Sequence, residues 1–326
     1  MPVRSGESDM KYGVYAGGRA GLVCSRELDP RQVGKLVDEL GAGRPFVVRE
    51  YVHFLGADPD PAVVMSLGVA GELQRLPMPD DWYVSGGREL DLVVSYLPAE
   101  ADLAGWLAFL DRVVERYAGI TRYLQVTLEG NVPIPYLDGS SPGVVEALTE
   151  GIPHARRALD AAGHAPVRVG FSVAEPAEWL GGDDAFWERL AEADLSAVDY
   201  VGLGLYPDAF GTPVPVEMLR AMTEHALRHL REHSLATAGI PAGVPIHVCE
   251  TGSPSLPGRD QVASLATMLS VVREQAAALN VTVYELFGLR DADTASGEAL
   301  GAFGLVTDEY ARKPSFEFYR RAVRDA

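Results

Sequence analysis

The chain has 326 residues, 47 % of them apolar, and a formal charge of −18 at pH 7. That charge argues against nucleic acid or an anionic membrane surface as partner, and no apolar run approaches the roughly 20 residues that a membrane-spanning helix needs. Residues 1–11 hold no apolar core of leader length, so a cytoplasmic location is expected; Cys24 and Cys249 lie far apart, the second inside a predicted strand, which argues against a disulfide.

Eight segments read as strands, each rich in Val, Ile, Leu, Tyr and Phe and bounded by Gly, Pro or charge: 11–17, 46–54, 90–97, 120–127, 167–173, 200–206, 244–249 and 281–289. Between them apolar residues recur at three- and four-residue intervals, which predicts helices over 103–117, 144–162, 216–233 and 261–279, with weaker patterns over 30–40, 61–76, 185–195 and 314–324. Strand starts fall roughly 30 to 45 residues apart, the length of a strand, a crossover helix and two loops. Eight such units predict an α/β chain folded as one (β/α)8 TIM barrel domain over 1–326. A doubly wound open sheet is the alternative, but its usual phosphate-binding signals are missing. Gly17-Gly18 and Gly86-Gly87 lack a P-loop lysine and form no dinucleotide fingerprint, and there is no Gly-x-Ser-x-Gly elbow or His-Glu-x-x-His pair. No cofactor is expected.

In a barrel of this kind the loops after the strands build the active site, so polar residues at strand ends are the candidates. The second strand ends with Arg49, Tyr51 and His53, which alternate onto one face. The fourth ends with Glu129 and Asn131, the sixth with Tyr206 and the seventh with Glu250; the eighth carries Glu285, Arg290 and Asp291. Carboxyls there are costly unless paired or hydrogen-bonded, and such pairs drive two pKa values apart. Arg49 and Tyr206 read equally well as buried structural groups, and the wall that Glu285 faces cannot be read from alternation.

His247 should point away from the face carrying Glu250 and pack within the sheet. His225, His229 and His233 recur every four residues on one helix, but no carboxylate accompanies them in sequence, so they read as surface residues and no metal is expected. Asp291 and Asp293 read as a solvated loop pair. Trp106 and Trp187 fall inside helices and read as packing, whereas Trp82, Tyr83, Tyr96, Tyr136, Trp179 and Phe210 are candidates for a stacking wall.

Taken in order, these residues resemble the 4/7 superfamily (clan A) of retaining glycoside hydrolases. Glu129 closes Tyr123-Leu-Gln-Val-Thr-Leu-Glu129, and Glu250 lies in Ile246-His-Val-Cys-Glu-Thr-Gly252, similar to that family's seventh-strand motif. Tyr284-Glu-Leu-Phe-Gly-Leu-Arg-Asp291, Phe303-Gly-Leu-Val-Thr-Asp308 and Lys313-Pro-Ser-Phe-Glu-Phe-Tyr319 resemble its eighth strand, Phe-Gly-Leu turn and last helix. The resemblance implies that Glu129 is the acid/base and Glu250 the nucleophile. It also implies that Arg49 and Tyr206 hydrogen-bond the nucleophile, with Tyr51, His53, Asn131 and Glu285 as further substrate-binding candidates. Retention asks for the two carboxyls about 5 to 5.5 Å apart.

Two positions depart from the family. Leu128 stands where it places Asn, whose amide binds the sugar's 2-hydroxyl, and its eighth-strand tryptophan is missing. A substrate lacking that hydroxyl, an unusual glycoside of a small metabolite, or a barrel turned to another reaction would each fit. The expected activity is retaining hydrolysis of a small glycoside. The alternatives are proton transfer in cyclisation or isomerisation of a metabolite, and a non-catalytic small-molecule or sugar-binding protein. The oligomeric state is not legible.

Overall fold

The computed structural model describes residues 10–17, 24–69 and 73–326. The segment 1–9, where a leader would begin, and Gly18 of the Gly17-Gly18 pair lie outside the described residues. Eight parallel strands, β1 (Lys11–Tyr15), β2 (Phe46–Phe54), β3 (Arg88–Tyr96), β4 (Thr121–Val126), β5 (Arg168–Ala174), β6 (Tyr200–Leu205), β7 (Ile246–Thr251) and β8 (Val281–Leu286), form a closed barrel. Each strand pairs with the next, and β8 pairs back to β1, Glu285 opposite Gly13. Closure excludes the open-sheet alternative.

The connecting helices are α1 (Pro30–Gly41), α2 (Pro61–Leu67), α3 (Asp80–Tyr83), α4 (Leu103–Tyr117), α5 (Val144–Ala161), α6 (Ala185–Ala191), α7 (Val216–His229), α8 (Leu235–Thr237), α9 (Gln261–Leu279) and α10 (Pro314–Arg324). Local chemistry sets their ends. Asp29, Asp102 and Asp260 accept hydrogen bonds from backbone N–H groups of the first turns of α1, α4 and α9, groups that have no partner inside the helix. The pattern over 61–76 predicts a long helix, but α2 stops at Leu67 because Gly68 turns left-handed (φ 63°). The pattern over 216–233 holds as α7 only to His229, where the chain widens into a π-helical turn, Leu230–Ser234. No signal anticipated the short α3. Trp106 and Trp187 are buried in helix packing, as their positions suggested. No helix among the described residues is long and apolar enough to cross a membrane.

Side chains pointing into the barrel are stacked in levels. At the N-terminal end Val47, Tyr123, Tyr200 and Val283 pack together. There Lys11 Nζ lies 2.6 Å from Glu89 Oε2 and donates to Tyr123 Oη at 3.1 Å. The middle level is polar: Arg49, Asp91, Gln125, Ser172 and Glu285 are all buried. Glycines make room for it. A Cβ on Gly13 would sit 2.8 Å from Glu285 Cγ, and one on Gly202 would sit 2.8 Å from Cys249 Sγ.

One expectation fails for a definite reason. His247 lies inside the barrel, stacked on Tyr200 with ring centroids 4.2 Å apart, rather than on the face opposite Glu250. The register of β6 with β7 slips between Leu203/Val248 and Gly204/Glu250, so β7 carries a bulge at Cys249. An extra residue resets the in–out alternation. His247 packs as a strand histidine, burial pulling its pKa down to about 3, and Glu250 joins the interior face above it. No disulfide joins Cys24 and Cys249.

Candidate active site

Glu129 lies three residues beyond β4 in a segment whose backbone is bent against its preference. Thr127 (φ 70°) and Glu129 (φ 46°) are both left-handed, and a β-branched residue rarely adopts that region. The segment is held by side chains from three neighbouring elements. Gln125 Nε2 donates to Thr127 O (2.9 Å) and to Ser172 Oγ (2.9 Å), and Ser172 Oγ accepts from Glu129 N at 3.0 Å. Buried Asp138 accepts from Leu128 N (2.8 Å), Tyr96 N (2.6 Å) and Ser95 Oγ. Burial raises the Asp138 carboxyl to about 7 despite those donors.

The turn throws the Glu129 carboxyl across the barrel mouth onto β6. A Cβ at Gly204 would lie 1.7 Å from Glu129 Oε1, and Gly204 is the register partner of Glu250 on the neighbouring strand. Paired residues on adjacent strands sit about 5 Å apart. The two carboxyls are thereby brought to one place from strands 4 and 7.

Their environments differ. Glu250 Oε1 accepts from Tyr51 Oη and, at 3.3 Å, from Arg49 Nη2, while Oε2 accepts from Tyr206 Oη at 3.1 Å. Glu129 Oε1 has no hydrogen-bond partner among the described residues. Burial, reinforced by the Glu250 charge, raises the Glu129 pKa to about 8. Glu250 is surrounded by donors, whereas Glu129 keeps its proton at neutral pH.

Below them Arg49 extends the network around Glu250. Its Nε donates to Tyr51 Oη (2.7 Å), Nη2 to Gln125 Oε1 (2.8 Å), and Nη1 pairs with Asp91. Glu285 is 1 % exposed near Asp91, and neither of its oxygens has a hydrogen-bond partner among the described residues. Burial and the Asp91 charge hold Glu285 well above the carboxylate range, so it stays protonated.

Arg49, Tyr51, Tyr206, Glu129 and Glu250 thus converge. Glu285 is buried in the polar middle level, opposite Gly13 on β1. His53 is buried and stacked parallel to Tyr51 (6.4 Å), its Nδ1 unpartnered among the described residues and its pKa pulled down to about 4 by burial. Asn131 is turned away: Nδ2 donates to Ala174 O (2.7 Å) and Oδ1 accepts from Ala174 N (2.9 Å). Leu128 packs with Tyr15, Tyr51 and Val93, making that side of the mouth apolar.

Other sequence candidates serve the scaffold. Asp291 is buried and accepts from Lys313 Nζ (2.6 Å) and Gly304 N (2.8 Å), so it is not a solvated loop acid. Arg290 donates to Arg26 O and Glu27 O. Tyr83 and Tyr96 are buried; Phe210 is exposed beside Tyr206, whereas Trp179 stacks on His225. The helix histidines do have carboxylates beside them: Glu175 and Glu178, distant in sequence, approach His229. Strand-end reasoning misses Asp91, Gln125, Ser172 and Asp138. The first three carry a signal, a polar residue flanked on both sides by apolar ones within a strand; Asp138, in a polar loop, carries none.

Comparison with solved structures places this architecture. The barrel is similar to those of glycosidases. A family 1 β-glucosidase from Thermotoga maritima superposes with a TM-score of 0.64 at 12 % identity, over 99 % of each chain. The GH1 β-glucosidase from Exiguobacterium antarcticum B7 gives 0.61 at 12 %, over 97 % of this chain and 98 % of that one. A β-glucuronidase from Ruminococcus gnavus in complex with D-glucuronic acid gives 0.60 at 11 %, matching 97 % of this chain and 49 % of that longer one. At such identities the likeness is one of fold. No family model and no curated protein matches the sequence.

Proposed function

We propose that the chain is a retaining glycoside hydrolase of a small glycoside, with Glu129 as acid/base and Glu250 as nucleophile. The observation that carries this reading is the pairing, at one barrel mouth, of a carboxyl raised to about 8, whose Oε1 has no hydrogen-bond partner among the described residues, with a carboxylate accepting from Arg49, Tyr51 and Tyr206. In the first half-reaction Glu129 gives its proton to the leaving oxygen while a Glu250 oxygen attacks the anomeric carbon and the glycosidic bond breaks. In the second, Glu129 takes a proton from water, which attacks the same carbon and frees Glu250. Arg49 and Tyr51 balance the nucleophile's charge before attack. The apolar wall around Leu128, with Asn131 committed to Ala174, favours a sugar that needs no partner at its 2-position.

That same wall favours a second reading, in which Glu129 and Glu250 move protons in cyclisation or isomerisation of a metabolite. Activated aryl glycosides, including 2-deoxy sugars, distinguish the two. Hydrolysis abolished by Glu250→Gln, with a 2-fluoro glycoside bound covalently at Glu250 by mass spectrometry, supports the first. Absence of turnover and of labelling across the panel would sink it.

A further inference from the structure

Away from the barrel mouth, α7 and its π-helical turn carry His225, His229 and His233, three of the chain's seven histidines, along one side. Their rings form a row, with centroids 5.7 Å apart for His225 and His229 and 4.8 Å for His229 and His233. The last residue before Pro176, Glu175, points outward from the end of β5 beneath this row, its side chain wholly buried, with Oε2 3.0 Å from His229 Nδ1. Glu178, on the turn Ala177–Leu180, supplies a second carboxylate from the solvent side. One donor atom from each of Glu175, Glu178 and His229 lies within 4.8 Å of the others.

We propose that these three residues bind a divalent ion of the zinc class. Two carboxylates held this close repel each other, and a cation between them turns that cost into attraction. Glu175 is already fixed in a ligating pose, since its Oε1 accepts from Trp187 Nε1 (3.1 Å) and Ser234 Oγ (2.9 Å), and its Oε2 from Ala177 N (3.2 Å). Such outer contacts are what orient a metal-binding carboxylate. Glu178 is exposed and long enough to swing in and complete the set. One imidazole and two carboxylates suit Zn²⁺, Co²⁺ or Ni²⁺ rather than Mg²⁺ or Ca²⁺, which favour oxygen alone. His229 binds through Nδ1 with its proton on Nε2, and water or a flanking histidine takes the fourth position. The ion ties the turn after β5 to α7. Ala174, which precedes Glu175, holds Asn131 two residues from Glu129, so the ion braces the loop that carries the acid.

The test needs no substrate and is independent of the glycosidase reading. The untagged full chain, stripped with chelator, is titrated with ZnCl₂ in a calorimeter, with MgCl₂ as control. One equivalent of Zn²⁺ is expected with a Kd of about 1 μM, together with a rise in Tm, and no heat from Mg²⁺. Glu178→Gln, at an exposed position where folding is safe, should weaken binding at least about tenfold, as should His229→Gln. Absence of Zn²⁺ binding at about 100 μM overturns the proposal. So does binding that survives Glu178→Gln and His229→Gln but is lost in the His225→Ala/His233→Ala double variant, because that is chelation by an ordinary histidine row.

Discussion

A methyl group on residue 204 would fall on Glu129 Oε1, so the absence of a side chain on β6 is what lets the acid lie beside Glu250. Gly204→Ala should leave the barrel folded at a cost of about 1–3 kcal/mol while kcat/KM falls about 100-fold or more, since the displaced carboxyl no longer meets the leaving oxygen. Unchanged kcat/KM in that variant would remove Glu129 from the mechanism. The Glu129 proton also sets a pH dependence. Because the folded pKa of about 8 stands above the ordinary value of 4.5, its contribution to stability is full below about 4.5 and is lost as pH rises through about 8. Hydrolysis should fall over the same upper range as the acid loses its proton. Glu129→Gln should therefore raise Tm at pH 8 relative to the parent chain while abolishing turnover of substrates with poor leaving groups, which thermal melts and a pH–rate profile check together.

The segment after β4 is shaped by its neighbours rather than by its own preferences. Left-handed Thr127 and Glu129 persist because Gln125, Ser172 and Asp138 bind the intervening backbone. Asp138→Ala would strip partners from Leu128 N, Tyr96 N and Ser95 Oγ at once. A loss of about 3 kcal/mol is expected from denaturant melts, with a larger fall in kcat than in KM, because the acid's aim suffers more than the cavity. A variant of parental stability would show that this loop holds its shape unaided. Such devices explain what the sequence could and could not convey. The strand at 46–54 and the helices at 103–117, 261–279 and 314–324 were readable in period and length, because buried strands and amphipathic helices write their burial into residue order. The bulge at Cys249, the short α2 and the π-helical turn were not, since each reflects how one element is pressed against another. Glu129 and Glu250 were legible as strand-end acids. That Asn131 faces Ala174, and that Asp138 steers the loop, depend on contacts across tens of residues that no local pattern records.

Across the whole molecule, the centre of the barrel sets Arg49 among Glu250, Asp91 and Glu285. Arg49→Met would leave carboxylates buried without their counter-charge, and a loss of about 3–5 kcal/mol is expected. Glu285→Gln should act in the opposite direction. The parent acid must keep a proton in the fold that it sheds when unfolded above about pH 4.5, so its contribution shrinks as pH rises. The amide has no such proton to lose and escapes that penalty. Melts of this variant should match or exceed the parent at pH 7 and fall less steeply towards pH 9; a lower Tm at pH 8 would mean that Glu285 is not the proton-bearing partner.

The Lys11, Glu89 and Tyr123 cluster, stacked beneath Tyr200 and His247, stoppers the barrel at the end away from Glu129. Traffic through such a vessel has a single doorway. Whatever is released after reaction must leave by the route the next molecule takes to enter, so a lingering product and an incoming substrate exclude one another, and inhibition by product should be competitive in steady-state assays.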